Sequence, residues 1–243
     1  MTAPAAHDEM PPLAILAGGL ATRLRPLTGK IPKSMVEVAG EPFIAHQLRI
    51  AAREGIRDVV ICAGHLGGQI ETFVGNGARF GCRVRFSFDG ESPRGTGGAL
   101  RHALPLLGDR CMVMYGDSYL DTDFRAVHGA FIAAGRPALM TVCRNEGRWD
   151  TSNVEFTGGK LVTYDKTDRT SAMRHIDYGL GAIETKAVRE WPAPDPFDLA
   201  DVYRDLSRRG MLAGCEIRER FYEIGSPGGL AETDAFIRGH GIK

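Results

Sequence analysis

The residues with most chemical capacity are packed into Leu16-Ala17-Gly18-Gly19-Leu20-Ala21-Thr22-Arg23-Leu24-Arg25-Pro26-Leu27-Thr28, followed closely by Ile31-Pro32-Lys33-Ser34-Met35. Glycines directly after an apolar run let backbone N–H groups approach phosphate oxygens with no Cβ in the way. Arg23 and Arg25 add forked donors and Lys33 adds a point charge. Two glycines alone would read as an ordinary turn. With Arg23 and Lys33 beside them, the set suits a polyphosphate. Two commoner glycine motifs fail. A Walker A loop ending at Gly29-Lys30 would need Gly at Leu24 and Ser or Thr at Ile31. A dinucleotide fingerprint starting at Gly95-Thr96-Gly97 would need a third glycine at Leu100, and no buried strand precedes Gly95. The incomplete fingerprint argues against a dinucleotide-dependent oxidoreductase.

These residues need elements to hold them. Leu13–Ala17 is a short continuous apolar run stopped by glycine, the pattern of a parallel strand buried on both faces. Asp58–Cys62 and Cys111–Tyr115 read the same way, while Val84, Phe86 and Phe88 alternate with polar residues as in a half-buried strand. Helical spacing appears at Ile44, Leu48, Ala51 and Ala52, at Ile70, Phe73 and Val74, across 97–107 and near 122–134; a strand follows at Leu139–Cys143. Strand and helix in alternation predict a doubly wound α/β sheet with right-handed crossovers. Ligands on such sheets lie beyond the carboxyl ends of the strands. Three of those ends carry Ala17-Gly18-Gly19, Cys62-Ala63-Gly64 and Tyr115-Gly116-Asp117. After about residue 145 the pattern changes. Asn153–Phe156 and Leu161–Tyr164 flank a Gly158-Gly159 hairpin signal, Tyr178–Ile183 is a further strand, and Asp195-Pro196-Phe197-Asp198 predicts a helix start with Asp195 as N-cap. Ser226-Pro227 predicts another helix start. The expected organisation is a disordered lead-in over 1–12 and one domain over 13–243. Its 13–145 half would carry the nucleotide-type site and its 146–243 half a second ligand region.

The chain has 243 residues, with 30 Lys+Arg against 30 Asp+Glu. Zero net charge argues against a nucleic-acid coat protein or a polybasic membrane binder, and no run of 18 apolar residues is present. The five cysteines are odd in number and include no C-x-x-C pair. Reduced, buried thiols in a cytoplasmic protein are the reading they support.

The glycine-rich segment resembles the opening motif of the sugar-1-phosphate nucleotidyltransferases, L-A/V-G-G-x-G-T-R-L-x-P-L-T then x-P-K-P/S-M/L. Ala21 stands where that family usually has glycine. Gly40–Phe43, Gly95–Ala99, Tyr115–Ser118, Tyr164–Lys166, Tyr178-Gly179 and Tyr222–Gly225 also resemble family segments. Arg94–Leu100 and Gly116–Tyr119 look most like the D-glycero-α-D-manno-heptose 1-phosphate guanylyltransferases, although that family usually has Leu in place of Arg94. N-acetylmuramate 1-phosphate uridylyltransferases share much of the pattern. The resemblance implies a Rossmann-like, GT-A-like nucleotidyltransferase fold: a mixed, mostly parallel sheet with a smaller sugar-binding β region in the second half. It implies an NTP reacting with a sugar 1-phosphate to give NDP-sugar and pyrophosphate, with Mg²⁺, and a homodimer is compatible with it. Leu16, Ala17, Gly18, Gly19, Arg23, Lys33, Thr96 and Gly97 would bind nucleotide, and Arg23, Lys33 and Asp117 would carry catalysis. Asp117 and Glu223 would hold the metal, Glu223 standing where the family usually has Asp. Glu155, Lys166, Asp177 and Gly179 would bind the sugar phosphate. Lys166 also reads as a solvated loop residue among Asp165, Asp168 and Arg169, and Glu155 as an outward strand residue. A catalytically silent, nucleotide-sugar-binding regulatory relative is the rival class implied by the departures at Ala21, at Glu223 and at Asp177, which stands where many relatives have Asn.

Overall fold

The structure, a computed structural model, describes residues 9–19, 24 and 29–240. Arg23 and Arg25, and residues 1–8 of the expected lead-in, lie outside the described residues. Within that lead-in Met10 is buried and the Pro12 carbonyl accepts the Met112 N–H at 2.9 Å.

The elements run in the order β1 (Leu13–Leu16), β2 (Glu37–Val38), β3 (Glu41–Pro42), α1 (Phe43–Arg53), β4 (Asp58–Ala63), α2 (Gly67–Val74), β5 (Arg83–Phe88), α3 (Gly95–Ala103), β6 (Arg110–Tyr115), β7 (Ser118–Tyr119) and α4 (Phe124–Ala134). They continue as β8 (Ala138–Arg144), β9 (Val154–Thr157), β10 (Lys160–Tyr164), β11 (His175–Glu184), α5 (Thr185–Arg189), α6 (Leu199–Arg208), β12 (Leu212–Ile217), β13 (Tyr222–Glu223) and α7 (Pro227–His240). Nine strands form one mixed sheet. Its path is β10-β9-β11-β6-β1-β4-β5, with β8 joining β11 and β12 joining β8. The first-half strands β5, β4, β1 and β6 are mutually parallel, and β11 enters antiparallel against β6.

The parallel strands are apolar throughout because both of their faces are covered. Leu13 and Ile15 of β1, Val59 and Ile61 of β4, and Met112 and Met114 of β6 point into a core closed by α1, α2, α4 and α7. Ala14 and Leu16, Val60 and Cys62, and Cys111 and Val113 point the other way, into a core closed by α3 and α6. Burial on both faces removes the alternation that a half-exposed strand would show. Four of the five cysteines are fully buried and all are free. Burial pushes the Cys111 thiol up to about 12, so it stays protonated and packs as a small apolar group.

Two expectations are corrected, and one strand is added. Phe88 ends β5 exposed and stacked on Phe86, while Ser87 turns inward, so the predicted alternation slips at the strand's last residues. Helix α6 begins at Leu199 with Asp198 at its N-cap position, not at Pro196. The reason is tertiary. Asp195 is taken by Arg94 and Arg101 at 2.8 and 2.5 Å, and buried Phe197 holds the segment against α3. Strand β12 has no clean period and was not expected; it forms because β8 offers it an open parallel edge. The Ser226 hydroxyl does accept the Gly229 N–H at 3.0 Å at the start of α7.

Candidate active site

The order of the parallel strands reverses at β1, with β4 on one side and β6 on the other. Such a switch opens a crevice at the carboxyl ends. Backbone bonds lock its floor: Ala17 N–H donates to Cys62 O at 2.8 Å, and Gly116 N–H to Leu16 O at 2.9 Å. The approach is so close that a Cβ on Gly116 would lie 2.7 Å from Leu16 O, and one on Gly64 would lie 2.8 Å from Gly18 O. Above this floor is a cavity of about 290 Å³ lined by Leu16, Ala17, Gly18, Gly19, Lys33, Ser34, Asp89, Pro93, Gly95, Thr96, Ala99, Tyr115, Gly116, Asp117 and Asp198. That volume is at the small end for a small-molecule site.

The cavity gathers Leu16, Ala17, Gly18, Gly19, Lys33, Thr96 and Asp117 from segments up to a hundred residues apart. Lys33 Nζ lies 3.0 Å from Asp117 Oδ2, their side chains 19% and 35% exposed. A partly open pair of this kind can exchange its partners for a ligand. Gly97 is placed differently. Its N–H and that of Gly98 donate to Phe197 O at 3.0 and 3.2 Å, and a Cβ there would strike the Phe197 ring. Gly97 therefore seats the strap 190–198 behind the cavity wall, and is not itself one of the wall residues. Thr96 is on the wall, its hydroxyl 3.1 Å from Asp198 Oδ1 and accepting the Leu199 N–H at 2.9 Å.

Around Asp117 the chain is fixed from three directions. Gln47 of α1, fully buried, donates from Nε2 to both Tyr115 O and Ser118 O at 2.9 Å. Ile224 N–H donates to Asp117 O at 2.9 Å, and β13 pairs β7 with Glu223 opposite Ser118. This brings Glu223 beside Asp117 although they are far apart in sequence. The Glu223 carboxylate accepts the Ser226 hydroxyl at 2.9 Å and the Gly225 N–H. A Cβ built on Gly225 would strike Glu223 Oε2 and lie 3.7 Å from Asp117 Oδ2. Two carboxylates thus face one small space that only a glycine leaves open.

On the far side of Tyr115 lie three of the four second-half residues. Lys166 Nζ is 5.5 Å from the Tyr115 ring centroid. Asp177 Oδ2 accepts from Tyr115 Oη at 3.4 Å, and Asp177 Oδ1 accepts the Gly179 N–H at 3.0 Å. Burial raises the Asp177 carboxyl above its ordinary range, against the pull of Lys166 and these hydrogen bonds. Gly179, at φ +99°, lies under Ser118, where a Cβ would come within 2.9 Å of Ser118 Oγ. Glu155 is half-buried on β9 and is not on the cavity wall. Among the described residues no group of three or more His, Cys, Asp or Glu forms a metal cluster, so a metal here would rest on a carboxylate pair and ligand oxygens.

Sequence reasoning missed Gln47, Asp89 and Asp198. Asp89 had a legible signal: it directly follows β5, and the rule that singled out the ends of β1, β4 and β6 applies equally there. Gln47 had none, because a helix residue aimed at a strand end five elements later is visible only in three dimensions.

The nucleotidyl transferase family profile matches residues 13–152. The N-acetylmuramate alpha-1-phosphate uridylyltransferase of Neisseria meningitidis is 39% identical over 46% of the chain, and that stretch spans 49% of the relative's length. The enzyme of that name in Caulobacter vibrioides is 28% identical, covering 90% of this chain and 94% of its own. The D-glycero-alpha-D-manno-heptose 1-phosphate guanylyltransferase of Campylobacter jejuni is 22% identical over 88% and 94%. A solved structure from Bacillus anthracis, described as a glucose-1-phosphate thymidylyltransferase, superposes with a TM-score of 0.85 at 21% identity, covering 95% of this chain and 96% of that one. With a profile match across more than half its length, and a doubly wound sheet whose switch-point crevice gathers the glycine turn, Lys33 and Asp117, the chain belongs to the nucleotidyl transferase family.

Proposed function

We propose that this protein transfers a nucleotidyl group from an NTP to a sugar 1-phosphate, giving an NDP-sugar and pyrophosphate. The observation that carries the reading is the single crevice in which the glycine turn, Lys33 and Asp117 meet, with Lys166, Asp177 and Gly179 across Tyr115. A sugar-phosphate oxygen attacks the α-phosphorus of the NTP as the bond to pyrophosphate breaks. Two anions must be brought together, so the protein's work is to cancel charge and fix geometry. Lys33 would move from Asp117 to the α-phosphate region, and backbone N–H groups at Gly18-Gly19 would face phosphate oxygens. Arg23 would take the departing pyrophosphate. Lys166 would meet the sugar phosphate and Asp177 sugar hydroxyls.

The paired carboxylates of Asp117 and Glu223 about the Gly225 space suit Mg²⁺, which needs few protein ligands and keeps phosphate oxygens and waters. When bound, Mg²⁺ supplies positive charge against the phosphates. Within this class, GTP with a manno-heptose 1-phosphate is the pair favoured by Arg94–Leu100 and Gly116–Tyr119. Uridylyl, cytidylyl or thymidylyl transfer to another sugar 1-phosphate is the alternative. The test is pyrophosphate release with Mg²⁺ across five NTPs, each paired with hexose and heptose 1-phosphates and N-acetylmuramate 1-phosphate, repeated with EDTA. Sugar-dependent, EDTA-sensitive release with one pair is expected. Nucleotide binding without release across the panel would overturn the reading in favour of a regulatory nucleotide-sugar binder.

A further inference from the structure

The cavity is electrically lopsided. Lys33 and Asp117 stand on the β6 side of the Ala17–Gly19 turn. On the β4 side stands Asp89, whose Oδ2 would lie 3.1 Å from a Cβ on Gly18 and 3.0 Å from one on Gly64. Asp198 closes that side, its Oδ1 held by the Thr96 N–H at 3.3 Å and the Thr96 hydroxyl at 3.1 Å. The N-terminus of α3, which could otherwise attract an anion, is spent on Phe197 O and Asp198. A triphosphate has no reason to enter an end lined by two carboxylates and no free cation among the described residues. The neutral part of the nucleotide does. Leu16, Pro93 and Ala99 supply apolar wall around it.

Asp89 is only 7% exposed and lines the cavity; the Arg94 backbone N–H and charge favour its carboxylate but leave acceptor lone pairs for whatever enters. Burial raises its carboxyl above the usual range against the pull of Arg94. An ionised carboxylate only accepts hydrogen bonds, at two oxygens side by side. Among the bases, guanine alone offers two adjacent donors, the ring N1–H and the exocyclic N2–H₂. Adenine and cytosine set one amino group beside a bare ring nitrogen, and uracil and thymine flank N3–H with two carbonyl oxygens that a carboxylate repels.

We infer that Asp89 reads the base and selects guanine nucleotides. This rests on the nucleotidyl-transfer reading above but commits to residues and chemistry that reading does not use. The test compares GTP, ITP, UTP and dTTP, by kcat/KM for pyrophosphate release and by calorimetric binding, in the unaltered protein and in Asp89→Asn. ITP lacks the exocyclic amino group and so isolates half of the contact. The unaltered protein should prefer GTP at least tenfold over ITP and further over UTP. Asp89→Asn, which replaces one acceptor by a donor at constant shape, should flatten both ratios, with its melting temperature checking that it folds. Release of pyrophosphate with UTP or dTTP preferred, or a GTP preference unchanged in folded Asp89→Asn, overturns the inference and leaves the reaction standing. No release with any pair, but a GTP-over-ITP-over-UTP binding order lost in Asp89→Asn, supports the inference and removes the reaction. No nucleotide binding at all removes both. Calorimetry on the unaltered protein decides the base order even if the variant does not fold.

Discussion

Lys33 and Asp117 form an ion pair at the mouth of the crevice, and neither is sealed in the core. Changing Asp117 to Ala should therefore leave the fold intact while turnover falls about a hundredfold or more, the scale seen when one charge-stabilising group is removed from a transition-state site. Steady-state kinetics with a melting curve would check both halves of that statement, and near-normal turnover would contradict it. Asp165, beside Lys166, carries a different kind of prediction. It is buried, which alone would raise its carboxyl. The N–H groups of Asp168 and Thr167, the Thr167 hydroxyl and the charge of Arg204 outweigh burial and bring it down to about 2. A carboxyl depressed on folding stabilises the native state above its unfolded value of 3.8, and that contribution is lost as pH falls from about 4 to about 2. Asp165→Ala should cost about 1–3 kcal/mol at neutral pH by orphaning those donors, and should be closer to the parent below pH 3. Urea unfolding at pH 7 and pH 2.5 would show it. Asp177 is the opposite case. Its carboxyl is raised by burial, so stability is lost as pH rises from the unfolded value of 3.8 through the folded value, and the cost is complete above it. Asp177→Asn, which keeps an acceptor for the Gly179 N–H, should melt higher at pH 7 and lose the advantage in acid.

At the scale of elements, the device that sets the site is the fastening of the β6–β7 turn from α1. Gln47 is fully buried and spends its amide on two backbone carbonyls either side of Asp117. Gln47→Leu should cost about 1–3 kcal/mol per orphaned carbonyl and lower kcat more than the stability loss explains, because the turn loses its register. Denaturant unfolding with kcat on the same variant separates the two. Much of the rest at this scale was legible. Continuous apolar runs ending in glycine marked β1, β4 and β6, because strands buried on both faces and stopped at a ligand crevice have that pattern and few others do. The start of α6 was not legible. Asp-Pro-Phe-Asp is a sound helix opening by local rules, but Arg101 of α3 and Arg94 just before that helix claim Asp195 first.

At the scale of the whole molecule, stability should be graded outward from β1. β1, β4 and β6 are covered on both faces, whereas the β9–β10 hairpin sits at one end of the sheet path with only Val154 and Tyr164 of its strand residues buried. Native-state hydrogen exchange should be slowest in β1, β4 and β6 and markedly faster in β9–β10; equal protection would contradict that grading. No helix among the described residues is long and apolar enough to cross a membrane. The sequence by itself determined which residues could meet phosphate, because glycine, lysine and arginine at that spacing have few other uses. It also determined the doubly wound class, because burial pattern and element alternation are local properties. Only the tertiary structure decided that Gly97 seats a strap, that Glu223 reaches Asp117, that Gln47 holds the β6–β7 turn carrying Asp117, and that Asp89 and Asp198 make one end of the cavity acidic. Each of those depends on which strand lies beside which, and pairing between segments a hundred residues apart leaves no period in the chain to read.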